Sequence, residues 1–153
     1  MTDRREQLLL EEETAWHDLR VKLEKLDDEQ FERPGLTDDG WSVKDMCWHI
    51  GAWCAYAFDA LEQISNGTYV DTELDVEALN RDWFEISRAV DARTARAELA
   101  ASRTRMCGQL QFLPEIPPEA VEWFEESGRL HYREHARDLA GWLEDLTASS
   151  GSA

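Results

Sequence analysis

Residues 41–64, WSVKDMCWHIGAWCAYAFDALEQI, contain the clearest helical pattern of the chain. Ser42 can cap the first backbone N–H groups, and Asp45 lies favourably near the positive end of the helix dipole. Apolar side chains then recur at steps of three and four, which indicates one buried helical face. They are Val43, Cys47, Ile50, Cys54, Ala57, Leu61 and Ile64. The following SNGT ends this helix, with Gly67 as its left-handed residue.

Three other regions show a helical period. Residues 3–30 carry apolar side chains at steps of three and four, and Pro34 and Gly35 follow in a breaking segment. Residues 74–113 form two helical pieces with a possible break at residues 91–94. The last helix begins either at Pro118 or after Ser127 and Gly128, and it ends near Leu146.

These segments predict an all-α fold, a four-helix bundle of the up-down type with long connections. The chain has 153 residues, of which 42% are hydrophobic and seven are tryptophans. This length and composition suit one domain with a single core. We expect that domain to span residues 1–147 and residues 148–153 to form a flexible C-terminal tail.

The charge of the chain limits its partners. With 16 basic and 33 acidic residues the net charge is −17, which would repel phosphate groups over most of the surface. We therefore expect no nucleic-acid partner and no anionic membrane partner. No stretch reaches the roughly 18 apolar residues of a spanning helix, and MTDRREQLLLEEE lacks the apolar core of a signal peptide. The expected location is cytoplasmic.

The three cysteines show neither CxxC spacing nor the density of a disulfide scaffold. They are Cys47, Cys54 and Cys107. Cys47 and Cys54 are seven residues apart on one helical face, which favours core packing. We expect reduced and mostly buried thiols.

HYREH, residues 131–135, places two of only four histidines one helical turn apart. The apolar stripe of this helix continues from His131 and His135 through Leu139, so both imidazoles face inward. Buried ring nitrogens need partners, which the apolar stripe does not offer. His49, on a face that adjoins the buried seam of its own helix, is the available partner. If the bundle is up-down-up-down, the second and fourth helices run parallel and the three histidines converge at one end.

Three converging imidazoles are typical of an open metal site. Histidines at positions i and i+4 have Cβ atoms about 6 Å apart, so both rings can reach one ion at about 2.0–2.1 Å. Three protein ligands leave a position for water or substrate. The alternative is that the histidines only pack within a stable bundle, because an HxxxH pair alone is a weak signal.

GWSVKDMCWHIGAW, residues 40–53, together with HYREH resembles the DinB-like family of four-helix-bundle proteins, which are proposed metalloenzymes. The sequence is also similar to the DinB-like N-terminal domain of mycothiol-dependent maleylpyruvate isomerases. In that domain the stretch DVEALNRDW has relatives around Asn80. The resemblance implies a divalent metal, most often zinc or nickel, held by His49 from the second helix and by His131 and His135 from the fourth.

The same resemblance implies a low-molecular-weight thiol such as mycothiol as cosubstrate. The expected function is then a metal-dependent S-transferase or isomerase acting on a small electrophile. Two alternatives stay open: a bundle that binds or sequesters a metal or small molecule without turnover, and a structural helical protein that dimerises. A homodimer is compatible with each.

Three further residues are candidates for substrate binding. Trp53, one turn beyond His49, can form a wall of the pocket, and Asn80 and Tyr132 can offer polar contacts to a small-molecule substrate. A structural role is the favoured alternative for each of the three. Glu134 is expected to be a solvated charge rather than a base. The sequence identifies no general acid or base, so the catalytic residues stay unknown.

Overall fold

The computed structural model describes residues 3–151, with side chains up to residue 149. Within this range the chain forms seven helices and no strand, which confirms the all-α prediction. The helices are α1 (Arg4–Leu23), α2 (Asp28–Glu32), α3 (Val43–Asn66), α4 (Val76–Ser87), α5 (Ala92–Phe112), α6 (Pro118–Ser127) and α7 (Arg129–Gly151). Four of them are 20–24 residues long and correspond to the four predicted principal helices. No helix in the described range is long and apolar enough to cross a membrane.

Helices α1 and α7 run in the same direction along the bundle. Glu11 of α1 pairs with Arg129 of α7, and five residues further along α1 the ring of Trp16 contacts Tyr132. The second contact is later than the first in both helices, so α1 and α7 are parallel.

Helix α3 runs opposite to α6 and α7. Tyr56 stacks on Trp123 of α6, whereas His49, earlier in α3, meets His135, later in the chain. The parallel arrangement predicted for the second and fourth principal helices is therefore wrong. Helical periodicity defines a buried face but not a direction, so it did not decide this point.

A long crossover explains the observed directions. The charge of Lys44 in α3 helps to lower the pKa of Asp91 at the start of α5. Later in both helices, Gly51 lies against Leu99, so α3 and α5 are parallel. The chain must return along the whole bundle between them, and α4 makes this return while packing on α3. The order is up, down, down, up, with a long connection as predicted.

The core lies between the four long helices. The predicted seam of α3 is confirmed. Ile64 is partly buried. The other six seam residues are completely buried: Val43, Cys47, Ile50, Cys54, Ala57 and Leu61. Burying a Leu or Ile side chain completely stabilises the folded state by roughly 1.5–3 kcal/mol relative to leaving it exposed. Gly51 permits close packing in this core, since a Cβ there would lie 3.2 Å from the Leu99 Cα.

Helix ends follow local capping rules. Ser42 and Asp45 form the capping box of α3, and Gly67 ends that helix with φ of 71°. The first predicted helix is shorter than expected, because α1 ends at Leu23 and Asp27 caps the separate helix α2. The possible break at residues 91–94 is confirmed, with Asp91 as the cap of α5.

The last predicted helix is divided at Gly128 into α6 and α7, so both proposed starting points are real. Helix α7 continues to Gly151, beyond the end that we predicted near Leu146. Residues 152–153 of the predicted tail lie outside the described range, and its flexibility stays a prediction.

Candidate metal centre

Three imidazoles from α3 and α7 face each other through their Nε2 atoms. The Nε2 of His131 lies 2.9 Å from that of His49 and 3.0 Å from that of His135. Their ring centroids are 4.6–5.1 Å apart. This is the group of residues in the described range that could hold a metal ion, and the sequence predicted all three.

Antiparallel helices bring these histidines together because each belongs to the region where α3 crosses the start of α7. His49 is in the second turn of α3, and α6 covers the later part of that helix. After the break at Gly128, α7 begins beside the middle of α3, where Tyr132 contacts Cys54, and it continues towards the start of α3, where His131 and His135 meet His49. The convergence was predicted correctly, but its geometric reason was not.

The opposite ring nitrogens indicate how the imidazoles are oriented. His131 hydrogen bonds to the backbone of Ser127, one turn earlier, and the Nδ1 of His135 lies 3.5 Å from a carboxylate oxygen of Asp138. A carbonyl only accepts, so the Ser127 contact favours a proton on the Nδ1 of His131 and a free lone pair on its Nε2. Such outer partners commonly orient histidine ligands. The Nδ1 atoms of His49 and His135 are both buried without a hydrogen-bond partner in the described residues.

Burial keeps the three imidazoles neutral at neutral pH. It lowers the pKa of His49 to about 3, with a smaller contribution from the charge of His135. Burial also places the pKa of His131 well below 6.5, assisted by the charges of His135 and His49. The pKa of His135 is lowered by burial against the opposing effect of Glu134 and Asp138. Neutral imidazole is the form that binds metal ions.

A cleft of about 380 Å³, the histidine cleft, opens on the three imidazoles. Its other walls include Asp39, Trp41, Trp53, Asn80 and Glu134. Trp41 meets the His49 ring edge-on and stacks on Phe84 at 5.5 Å between centroids. The site is therefore accessible to a small molecule on one side and supported by aromatic packing on the other.

A second cleft of about 440 Å³, the Trp123 cleft, lies beside the first. Its walls include Trp53, Tyr69, Asp71, Glu119, Glu122, Trp123 and Glu126. His131, Trp53 and Val76 line both clefts. The histidine centre is therefore accessible from two adjoining spaces.

Trp53 and Asn80 lie next to the histidines, where they were expected. The indole Nε1 of Trp53 donates a hydrogen bond of 2.9 Å to the Asn80 Oδ1. The Trp53 ring also meets Trp83 edge-on at 4.9 Å. These contacts hold the wall shared by both clefts, while contact with a substrate stays a prediction.

Tyr132 occupies a different environment from the one expected. Its side chain is completely buried, and its hydroxyl donates a 3.0 Å hydrogen bond to Glu12 of α1. Glu12 accepts two further bonds from Arg103, at 2.6 and 2.8 Å. Tyr132 lines neither cleft, so the geometry does not fit the expected contact with a substrate.

The cysteines are buried or half-buried free thiols, as expected. Burial raises the pKa of Cys47 and of Cys54 to about 12. It also raises the pKa of Cys107. Protonated thiols of this kind are poor nucleophiles.

Two groups of cleft residues were not anticipated. Glu134 is exposed, as expected for a solvated charge, and it also lines the histidine cleft. Glu119, Glu122, Trp123 and Glu126 of α6 face the Trp123 cleft. Their spacing of three, one and three places them on one helical face, a pattern that could have indicated a shared surface.

A three-histidine group beside two clefts, between helices of an all-α bundle, defines a candidate metalloprotein. The chain belongs to the family described as the mycothiol maleylpyruvate isomerase N-terminal domain, which matches residues 13–147. Its fold is DinB-like.

Among solved structures, the one titled "Sibling Lethal Factor Precursor - DfsB" is similar, with a TM-score of 0.73 and 11% sequence identity. The similarity covers 95% of this chain and 98% of that chain. At this identity it shows the shared fold alone. A search of curated protein sequences gave no significant match.

Proposed function

We propose that this chain is a divalent-metal-dependent enzyme that uses a low-molecular-weight thiol to act on a small electrophile. The observation that carries the proposal is the convergence of the Nε2 atoms of His49, His131 and His135 beside two clefts. Family membership supports the thiol part, because the matched family is named for a mycothiol-linked isomerase domain.

The donor set fits a divalent ion. Three neutral imidazoles are suitable ligands for zinc and nickel, and we expect one of these two ions at the three histidines. The carbonyl of Ser127 would keep the Nε2 lone pair of His131 directed at the ion, and the carboxylate of Asp138 lies 3.5 Å from the Nδ1 of His135. A bound ion would supply Lewis acidity and lower the pKa of a thiol or water next to it.

The chain's own residues would position the reactants. Trp53, held by its hydrogen bond to Asn80, lines both clefts, and Trp41 packs edge-on against the ring of His49. In a transfer, the thiol loses its proton to solvent water, and its sulfur lone pair forms the new carbon–sulfur bond. The displaced electron pair passes to the leaving group or to a conjugated carbonyl. In an isomerisation, the same bond breaks again and the thiol is regenerated.

A conjugation assay tests the proposal. Protein loaded with zinc or nickel is mixed with a small thiol and an electrophile panel that includes 1-chloro-2,4-dinitrobenzene and conjugated enones. We expect thiol conjugates or isomerised product above the uncatalysed rate, loss of activity after chelation, and loss in His131→Ala. His17→Ala is the matched control, since His17 is exposed on α1.

One outcome would contradict catalysis. If the metal binds but no member of the panel reacts faster than in buffer, the chain is a binding or sequestration module rather than an enzyme.

A further inference from the structure

The Trp123 cleft carries a charge that the proposed reaction does not explain. Asp71, Glu119, Glu122 and Glu126 line it, and none of its described lining residues is Lys or Arg. Within the described part of the chain, none of these four carboxylates forms an ion pair with Lys or Arg. A cleft lined by charges of one sign concentrates ions of the opposite sign.

The orientation of these carboxylates is set by the core. Helix α6 buries Ala120 and Phe124 on one face. Its opposite face presents Glu119, Glu122 and Glu126 to the cleft. The acidic surface is thus a fixed wall of the cleft.

Aromatic rings form the rest of that wall. The indole Nε1 of Trp123 donates a 2.9 Å hydrogen bond to the Tyr69 hydroxyl, and Tyr56 stacks on Trp123 with an interplanar angle of 24°. Trp53 closes the end nearest His131. Aromatic faces attract ammonium groups, and the effect adds to that of nearby carboxylates.

The histidine centre of the proposed function adjoins this space. His131 lines both the Trp123 cleft and the histidine cleft, so a molecule in either cleft lies beside its side chain. The histidine cleft adds Asp39 and Glu134 and again has no Lys or Arg among its described walls. A dicarboxylate would be repelled on both routes.

We propose that the small molecule reaching the histidine centre through the Trp123 cleft carries a protonated amine, held between the ring of Trp123 and the carboxylates of Glu122 and Glu126. This inference rests on the proposed function and names the class of its substrate. It assigns the charge of the ligand to this chain's own residues.

Three thiols of similar size and different charge test the inference. Cobalt-loaded protein is titrated with 2-aminoethanethiol, 2-mercaptoethanol and 3-mercaptopropionate, and the sulfur-to-cobalt absorption band reports binding at the metal. At low ionic strength we expect the aminothiol to bind at least about tenfold more tightly than the carboxylate thiol, after division by the preference that free cobalt shows for the same two thiols at that pH. The preference should narrow in about 0.5 M salt, because salt screens exposed charges.

Matched variants show which carboxylates cause the preference. The double variant Glu122→Gln with Glu126→Gln should reduce the preference for the aminothiol over the carboxylate thiol to less than about threefold, while cobalt still binds. The control is Glu13→Gln with Glu144→Gln, which removes the same charge from exposed positions that line neither cleft. This control should keep the full preference.

The outcomes separate the inference from the proposed function. Equal binding of the three thiols, or a preference that survives in the α6 variant, overturns the inference and leaves the metal-thiol function intact. If no thiol produces the band, the thiol function fails, and a second titration decides the inference. There, butylammonium but not butyrate should shift the indole NMR signal of Trp123 in metal-free protein, and no shift overturns the inference.

Discussion

His131 and Tyr132 are adjacent in α7, yet their side chains enter two separate environments. The Nε2 of His131 faces His49 and His135, whereas the Tyr132 hydroxyl donates to Glu12 of α1. Consecutive residues of a helix point about 100° apart, so one can serve the candidate metal centre while the next joins the core. This difference gives the first prediction.

Tyr132→Phe should lower the free energy of unfolding by about 1–2 kcal/mol, because it removes a buried hydrogen bond to a carboxylate. Metal content should not change, since the hydroxyl does not reach the clefts. Urea unfolding and elemental analysis measure the two quantities. Tyr56→Phe is the control, because no hydrogen bond of that hydroxyl is seen in the described residues. Loss of activity at unchanged stability would instead restore Tyr132 as a substrate contact.

Glu12→Gln should cost about 3 kcal/mol of stability. The Glu12 side chain is 1% exposed and binds Arg103 through both oxygens, so the change leaves a guanidinium without its charge partner. The comparison is Glu29→Gln, which breaks the exposed pair with Arg33 and should change stability by less than about 0.5 kcal/mol. Equal effects in urea unfolding would show that the buried pair is not stabilising α1 against α5.

Gly128→Ala should destabilise the fold by about 1–3 kcal/mol, because the new Cβ would lie 2.8 Å from the Phe124 carbonyl oxygen. Gly141→Ala is the matched control within α7, where an added Cβ would meet no neighbouring atom within 4 Å. It should stabilise the helix by up to about 1 kcal/mol. Thermal unfolding of both variants measures the contrast, and a neutral Gly128→Ala would contradict a rigid break between α6 and α7.

Acid should destabilise the metal-free protein through its buried histidines. Burial holds the pKa of His49 at about 3, below the ordinary 6.5, so below pH 6.5 the unfolded chain binds the proton and the folded chain does not. The contribution of the neutral, buried imidazole to the free energy of unfolding is complete above pH 6.5. It is lost as the pH falls, by up to about 1.4 kcal/mol per pH unit for each such histidine. Urea unfolding at pH 7.5, 6.5 and 5.5 should show a smaller decrease in His49→Ala than in His17→Ala. Equal decreases would mean that His49 is not buried in solution.

The sequence was sufficient for those features that depend on local pattern. The cap at Ser42, the seam from Val43 to Leu61 and the inward stripe of α7 all follow from spacing along one helix. The inward stripe also identified the histidines, because buried imidazoles with apolar neighbours require partners elsewhere. These predictions needed no knowledge of how the helices are arranged.

Features that depend on the arrangement of helices were not predictable in this way. The direction of α3 relative to α7 depends on the crossover through α4, and no periodicity encodes it. The acidic wall of the Trp123 cleft joins residues of α6 with Asp71, which lies before α4, so its composition appears only in the folded chain. A structural role was the alternative for Tyr132, but its partner Glu12 lies on another helix, and no spacing within α7 identifies it.

Metal binding by the three histidines is the claim on which the enzyme proposal depends. Elemental analysis of purified protein, followed by calorimetric titration of the metal-free form with zinc and nickel, should give one divalent ion per chain. Replacing His49, His131 or His135 by Ala should each lower the affinity at least about tenfold, and His17→Ala should not change it. A wild-type protein that takes up no ion, or three variants that bind as well as wild type, would contradict the metal centre.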